Sequence, residues 1–232
     1  MFDFDNKNCQ KEIMKHNHRK PTRQYGGIEA DQRMLERQEK FIAAGLEAFG
    51  VQGYAKATIK GICQLAGLTE RYFYESYKNK EDLLCAVFNR LISELESGAQ
   101  MIIETPGIKP EEAVYQITKS FYLLFLQDPR RARVQLFEVL GVSPRVDEAY
   151  RTSMKTLADW IKRTFYALFP ACDPEWLETT IIPTTIAGGM IANAHKWILD
   201  GLKTPVDDIV SQSMEMYMAI GNHYQNKRRS KE

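Results

Sequence analysis

The chain has 232 residues, of which 44% are hydrophobic and 26% charged, and this is enough apolar material for the core of an ordinary globular protein. No apolar run approaches the roughly 18 uncharged residues that a membrane span needs, so a cytoplasmic protein without a membrane partner is expected. The four cysteines lack a C-x-x-C pair, which argues against a zinc knuckle or a disulfide framework. The net charge of +1 argues neither for nor against nucleic acid as a partner.

The two ends of the chain are polar and basic. Residues 1–32 contain Pro21 and the Gly26-Gly27 pair, which interrupt any helical period. We interpret residues 1–32 as a flexible basic arm and residues 227–232 as a basic tail.

Two longer helices are predicted in the first half of the chain. Apolar residues recur at three- and four-residue spacing over residues 33–52, and Gly53 is placed to end that helix. A later helix is predicted to begin after the capping residue Asn79 and to extend to about residue 103. That helix is long enough to join two domains.

Two short helices separated by a tight turn lie between these longer ones. Thr58 is placed to cap a helix over residues 59–66, and Gly67 to end it with a positive φ. Thr69 is expected to cap the next helix, of about two turns. Such a pair is a helix-turn-helix, whose second helix is narrow enough to lie in the major groove of DNA.

Prolines at or near the first helical position mark the second half of the chain. They predict five further helices, opened by Pro110, Pro129, Pro144, Pro174 and Pro205. Pro183 falls inside the fourth of these, where it is expected to kink the helix near Thr179 or Thr180. The sequence has no alternating strand pattern or hairpin signal, so the predicted fold is all-α with about nine helices.

The aromatic residues of the second short helix divide between two faces. Phe73 and Tyr77 are four residues apart and in line with Leu68, so they are predicted to pack in the core. Tyr72 and Tyr74 lie off that stripe. We interpret them as DNA-facing, because a large ring exposed on a two-turn helix has little packing to justify it.

Two groups of DNA contacts are predicted around this helix. The residues predicted to face the bases are Thr69, Glu70, Arg71 and Tyr72. The residues predicted to contact phosphates, near helix N-termini that carry partial positive charge, are Thr58, Tyr74, Lys78 and Lys80. A solvated charged surface is the alternative for Glu70 and Arg71.

Residues 58–84 read T-I-x-x-I-C-x-x-A-G-L-T-x-x-x-F-Y-x-x-Y-x-x-K-E-D-L-L, and the span of about 37–88 around them resembles the DNA-binding domain of TetR-family transcriptional regulators. The resemblance implies a three-helix N-terminal domain, a larger helical C-terminal domain and a homodimer formed mainly through the last two helices. It also implies a small-molecule pocket whose occupation releases DNA.

The same resemblance implies individual roles. It makes Thr58, Tyr74 and Lys80 phosphate contacts, and it places Thr69, Glu70 and Tyr72 at or near the bases. Two positions depart from the family pattern. Arg71 stands where the family commonly has glycine, which affects the docking distance of the helix, and Cys63 stands where alanine is usual.

The predicted domains are a DNA-binding domain over residues 33–79 and a regulatory and dimerisation domain over residues 80–226, joined by the helix over residues 80–103. Small residues let a partner helix approach closely. The predicted dimer interface therefore consists of Gly188, Gly189 and Ala192 on one helix and Met214 and Met218 on the last. The alternative is that these residues pack against each other inside one subunit.

Aromatic residues and methionines recur in the middle helices, and a fraction of them is expected to line an apolar cavity. The predicted pocket residues are Tyr122, Trp160 and His195, because each adds a polar tip to an apolar body. A hydrogen-bonded core histidine is the alternative for His195.

Catalytic, cofactor and metal motifs are missing from the sequence, including G-x-S-x-G, the P-loop, H-E-x-x-H and G-x-G-x-x-G. We therefore expect no enzyme, cofactor or metal site, but a repressor that a ligand releases from a palindromic operator. Its expected partners are double-stranded DNA, a second copy of the chain and a small-molecule effector. The alternative is a DNA-binding cell-division or structural protein that acts through a protein partner. A closed cavity in the C-terminal domain would favour the regulator, and a filled core with an exposed apolar patch would favour the alternative.

Overall fold

The computed structural model describes residues 24–172 and 174–229, and in these ranges the regular structure is helical throughout, which confirms the predicted all-α fold. The helices are α1 (Gln24–Gln52), α2 (Ile59–Ala66), α3 (Glu70–Ser76), α4 (Lys80–Ile103), α5 (Pro110–Gln127), α6 (Pro129–Ala132), α7 (Pro144–Leu168), α8 (Pro174–Thr179), α9 (Ile182–Leu199) and α10 (Val206–Arg229). A π-helix (Arg133–Glu138) continues α6. None of the described helices has the length and apolar character to cross a membrane.

Local caps set the ends of the short helices. The Thr58 hydroxyl accepts a hydrogen bond from the Gly61 amide at 3.1 Å and so begins α2, and Gly67 ends α2 in the left-handed region with φ of 64°. Asn79 caps α4 as predicted. Thr69 precedes α3, but its side chain makes no capping hydrogen bond, so that predicted cap is wrong.

Several helices differ from their predicted bounds. α1 begins at Gln24 rather than at residue 33, because the good helix formers that follow the Gly26-Gly27 pair outweigh a cost of about 1 kcal/mol for each glycine. The remainder of the predicted arm, residues 1–23, lies outside the described residues, as do residues 230–232 of the predicted tail. Residues 227–229 of that tail are instead the last residues of α10, so the predicted start of the tail is wrong. The structure has a break between α8 and α9 where a kink near Thr179 was expected. Pro183 lies in the first turn of α9, where a backbone amide has no helical hydrogen bond to make.

Buried side chains form two clusters. The first core is built mainly from α1 to α4 and contains Phe41, Phe49, Phe73, Leu84 and Phe88. The second core is built from α5, the α6 region, α7, α9 and α10 and contains Tyr122, Phe125, Phe165, Ala187 and Trp197.

The first core is not confined to the predicted DNA-binding domain. It includes Val134 of the π-helix, Val139 just after it and Val146 of α7, and all three are fully buried. The C-terminal part of the chain therefore completes the core on which α3 packs.

α6 lies directly against the end of α1. A Cβ atom at Gly50 would be only 2.4 Å from the Cβ of Arg130, so this approach requires glycine. The Arg130 guanidinium is 2.6 Å from the Glu47 carboxylate of α1 and also binds Asp128. These contacts hold the α6 region on the N-terminal domain.

Candidate nucleic-acid interface and apolar cavity

The inner face of α3 is anchored by aromatic rings. Phe73 is fully buried and meets Phe41 edge to face, with ring centres 5.5 Å apart. Tyr77 is also buried, and its ring centre is 6.2 Å from that of Phe41. Both core predictions are confirmed, and this packing turns the opposite face of α3 to solvent.

The outer face of α3 carries several of the predicted DNA contacts. The Tyr74 side chain is 57% exposed, and Thr69 and Glu70 are exposed at the start of the helix. The Arg71 side chain is 85% exposed and pairs with Glu75 at 3.0 Å on its own helix. An exposed pair of this kind is weak, so Arg71 can exchange Glu75 for another acceptor at little cost.

Tyr72 differs from Tyr74 in its surroundings. It is partly buried against the first core, and the Arg37 guanidinium of α1 lies 4.6 Å from its ring centre. Arg37 also reaches the Glu75 carboxylate at 3.5 Å. Tyr72 is therefore held in place by α1, and less of its ring is available to DNA than the ring of Tyr74.

Lys80 is held by the connection between α1 and α2. Its ammonium donates to the carbonyls of Tyr54 at 2.7 Å and Ala57 at 2.8 Å, and it lies 4.3 Å from the centre of the Tyr54 ring. Burial lowers the pKa of Lys80 below its usual value. Because an ammonium has three donors, one N–H remains for a phosphate.

Two further lysines at this surface were not predicted. Lys56 and Lys60 flank Thr58 and are exposed, as is the predicted contact Lys78. Within the part of the chain that the structure describes, none of the three lysines forms an ion pair. The sequence signal that could have predicted them is the position of these two lysines on either side of a capping threonine.

An apolar cavity lies between α4, α5, the π-helix, α7 and α9. The cavity volume is about 110 Å³, and part of the space is open to solvent. This is several times the minimum that a single water molecule needs, so the space can take part of a small apolar ligand. Phe88 of the first core is on one wall, and Phe121 and Leu136 of the second core are on others. The cavity therefore lies where the two cores adjoin.

The three predicted pocket residues lie in different places. Trp160 is on the cavity wall. Tyr122 is fully buried in the second core, away from that wall, with its hydroxyl 3.3 Å from Ser213, and burial raises its pKa. The His195 ring does not line the cavity either, and its Nε2 is 2.6 Å from the Leu136 carbonyl. His195 thus has the hydrogen bond expected of a structural histidine.

Gln135 is a wall residue that was not predicted. It is only 6% exposed, and its side-chain amide makes no hydrogen bond to any described residue. Its position follows from the π-helix, which changes the direction of side chains relative to an α-helix. A single glutamine in a predicted α-helix gave no signal for this role.

The predicted dimer residues on α9 form an open strip. A Cβ atom added at Gly188 would have no neighbour within 4 Å, and one at Gly189 would meet only the methyl of Met216 at 3.9 Å. Ala192 is exposed further along the helix. A second helix could approach this strip closely.

The predicted dimer residues on α10 are less open. Met214 and Met218 are partly buried against the second core. Met216 lies between them in sequence and is 38% exposed, although it was not predicted. It is the more outward methionine of the three.

Comparison with known proteins relates the chain to bacterial regulators. The sequence profile of the family described as "Bacterial regulatory proteins, tetR family" matches residues 41–87. The HTH-type transcriptional regulator YhgD of Bacillus subtilis is 24% identical over 161 residues, which are 66% of this chain and 82% of that protein. The HTH-type transcriptional regulator EthR of Mycolicibacterium smegmatis is 24% identical over 129 residues, 56% of this chain and 58% of EthR.

Solved structures share the fold at low sequence identity. The regulator FadR from Bacillus subtilis, crystallised in complex with stearoyl-CoA, has a TM-score of 0.67 and 17% identity over 77% of this chain and 96% of its own. A TetR-family transcriptional regulator from Bordetella parapertussis has a TM-score of 0.58 and 15% identity over 78% of this chain and 93% of its own.

Proposed function

We propose that the chain is a TetR-family transcriptional regulator and acts as a repressor that a small apolar or amphipathic ligand releases from a palindromic operator. The observation that carries the proposal is the apolar cavity adjoining the core on which α3 packs. An apolar space with few polar groups is the usual makeup of a small-molecule site. The cavity therefore favours the regulator over the cell-division or structural alternative.

The proposed DNA surface is the exposed side of the helix-turn-helix. Thr69, Glu70, Arg71 and Tyr72 would face the bases, with Tyr72 in a restricted position because Arg37 holds its ring. Thr58, Tyr74, Lys78 and Lys80 would contact phosphates. Lys56 and Lys60 add charge to the same surface.

The proposed working form is a homodimer. Two copies of α3 must be about 34 Å apart to enter successive major grooves, which makes the operator a rough palindrome. The open strip at Gly188, Gly189 and Ala192 supports an interface through α9, with Met214, Met216 and Met218 of α10 beside it.

The proposed effector has an apolar part that fills the cavity. Beyond Trp160 the wall continues into a more open depression lined by Glu96, Gln100 and Arg163, where a polar head group would lie. The FadR neighbour with stearoyl-CoA supports an acyl chain as one form of the apolar part. A ligand that binds the non-DNA-binding form better shifts the population by its differential affinity and by no more.

Selection of binding sites from a random pool of DNA duplexes tests the proposal directly. The wild-type protein is expected to select an inverted repeat, and Arg71→Ala to relax the preference at one base pair in each half-site by about 1–3 kcal/mol. A pool that stays random after repeated selection would contradict DNA recognition. An unchanged profile for the variant would remove Arg71 from the bases.

Salt dependence separates phosphate contacts from other effects. Lys78→Ala is expected to lower the log–log slope of affinity against salt by roughly one for each subunit, because it removes one neutralised phosphate. Lys203→Ala is the matched control, since Lys203 is also exposed but lies between α9 and α10. Equal slopes for the two variants would place Lys78 outside the interface.

A further inference from the structure

We propose that Gln135 is the polar anchor of the cavity, so that the ligand is an apolar chain carrying one uncharged oxygen group, a carbonyl or a hydroxyl, at the depth of this amide. The inference rests on the proposed function only in taking the cavity as the effector site. It specifies what the cavity selects among apolar molecules.

The first support is the unsatisfied amide. Gln135 is nine-tenths buried, lies on the cavity wall and makes no hydrogen bond to any described residue. A primary amide offers two N–H donors and an acceptor oxygen. The amide atoms are accessible from the cavity and are not sealed in the core, so a ligand oxygen there can pair with them and gain affinity.

The two serine hydroxyls on the wall are already in use. The Ser120 hydroxyl donates to the Ile117 carbonyl at 2.8 Å, and the Ser153 hydroxyl donates to the Tyr150 carbonyl at 2.8 Å. Their hydrogens are therefore directed at the backbone of their own helices. The Gln135 amide has no such engagement.

The surroundings of Gln135 favour an uncharged partner. Phe88, Phe121, Phe125 and Leu136 share the wall with it, and an ionised group placed among them would lose its hydration. A neutral oxygen pairs with the amide without that penalty. A charged head group would instead lie beyond Trp160, near Arg163.

Gln135 also lies on the segment that holds the N-terminal domain. Within the same π-helix, Arg133 donates to the Val51 carbonyl at 2.7 Å, and the Glu138 carboxylate accepts from the Tyr54 amide at 2.7 Å. A ligand bound to Gln135 therefore contacts the segment that fixes the connection between α1 and α2.

A matched pair of compounds tests the anchor. 2-Undecanone and undecane have chains of the same length and differ in one carbonyl, and each can be titrated against N-phenyl-1-naphthylamine, an uncharged fluorescent probe of apolar cavities. For the wild-type protein without DNA, the ketone is expected to displace the probe at about 3- to 10-fold lower concentration than the alkane. Equal potency, or no displacement by either compound, would overturn the proposal.

Variants assign the preference to Gln135. Gln135→Leu is expected to reduce the ketone preference below twofold while it keeps or improves undecane binding. Ser153→Ala is the control, because it removes a wall hydroxyl that already has a partner, and it should retain the preference. A Gln135→Leu protein with the full preference would refute the anchor. If that variant does not fold, Gln135→Met takes its place, and the wild-type comparison remains decisive.

DNA release is measured separately. A ketone preference that depends on Gln135 but leaves DNA affinity unchanged would uphold the anchor and contradict ligand control by this class of compound. DNA release by an apolar compound, with no preference for the ketone, would uphold ligand control and contradict the Gln135 anchor. The two proposals therefore fail on different observations.

Discussion

The helix-turn-helix region and the cavity region use apolar side chains in opposite ways. In the first, Phe41, Phe73 and Tyr77 fill the interior, and the functional groups stand outside it on α3. In the second, Phe121, Leu157 and their neighbours leave a space between them. We infer that the first region needs its core filled in order to present a surface, whereas the second needs its core incomplete in order to take a ligand.

The largest expected effect is on the filled core. Phe73→Ala should lower the free energy of unfolding by about 3–5 kcal/mol, because it removes a fully buried ring that packs on Phe41. Tyr74→Phe is the matched control on the exposed face and should stay within about 0.5 kcal/mol of wild type. Urea unfolding measures both variants. Similar losses for both would show that the two faces of α3 do not differ in this way.

Adding volume sharpens the contrast between the two regions. Ala48 is 2% exposed in the first core, so Ala48→Leu should destabilise the protein by about 1–3 kcal/mol through overpacking. Ala99 is on the cavity wall, so Ala99→Leu should cost less than about 1 kcal/mol and weaken N-phenyl-1-naphthylamine binding at least tenfold, a loss of roughly 1.4 kcal/mol. Equal destabilisation by the two changes, or full probe binding by the Ala99 variant, would contradict the contrast.

The contact between the two regions gives the next effect. Glu138→Ala removes the acceptor of the Tyr54 amide and the partner of Arg133, and we expect a loss of about 1–2 kcal/mol of stability. Glu148→Ala is the control, since among the described residues Glu148 pairs with Arg151 alone, on the surface of α7, and its loss should cost less than about 0.5 kcal/mol. Thermal unfolding compares the two variants. A silent Glu138 variant would mean that the π-helix does not hold the α1–α2 connection.

The smallest effect on stability at neutral pH is expected from removing the Tyr77 hydroxyl, which titrates only at alkaline pH. Burial, with a smaller contribution from Glu39, raises the pKa of Tyr77 to about 12. A raised pKa in the folded state means that the contribution to stability is fully present below pH 10, the ordinary value, and is lost as the pH rises toward 12. Tyr77→Phe should therefore lose less stability than wild type between pH 9 and pH 11, measured as the urea midpoint at each pH.

Alkaline loss of stability that remains in the Tyr77 variant is assigned to the other buried tyrosines. Burial also raises the pKa values of Tyr122 and Tyr217 above their usual range. Burial likewise raises the pKa values of Tyr54 and Tyr150 beside the first core, so identical pH profiles for wild type and Tyr77→Phe would show only that Tyr77 is not the source of the alkaline sensitivity.

The sequence by itself determined the helical fold and the orientation of the candidate DNA surface, because the signals for both are local. Thr58, Gly67 and Asn79 act within one helical turn of themselves, and prolines mark helix starts through their own backbone. The four-residue spacing of Phe73 and Tyr77 was enough to assign them to the core. Such patterns do not depend on which distant segment completes the packing.

Only the tertiary structure decided the features that join distant segments. The ring of Tyr72 lies under Arg37 of α1, the ammonium of Lys80 binds carbonyls before α2, and Gln135 faces a cavity whose walls come from five helical segments. No sequence period encodes these contacts, because each depends on the distance between side chains that are far apart along the chain. A cavity is the extreme case, since it is the volume that the packed helices leave unfilled.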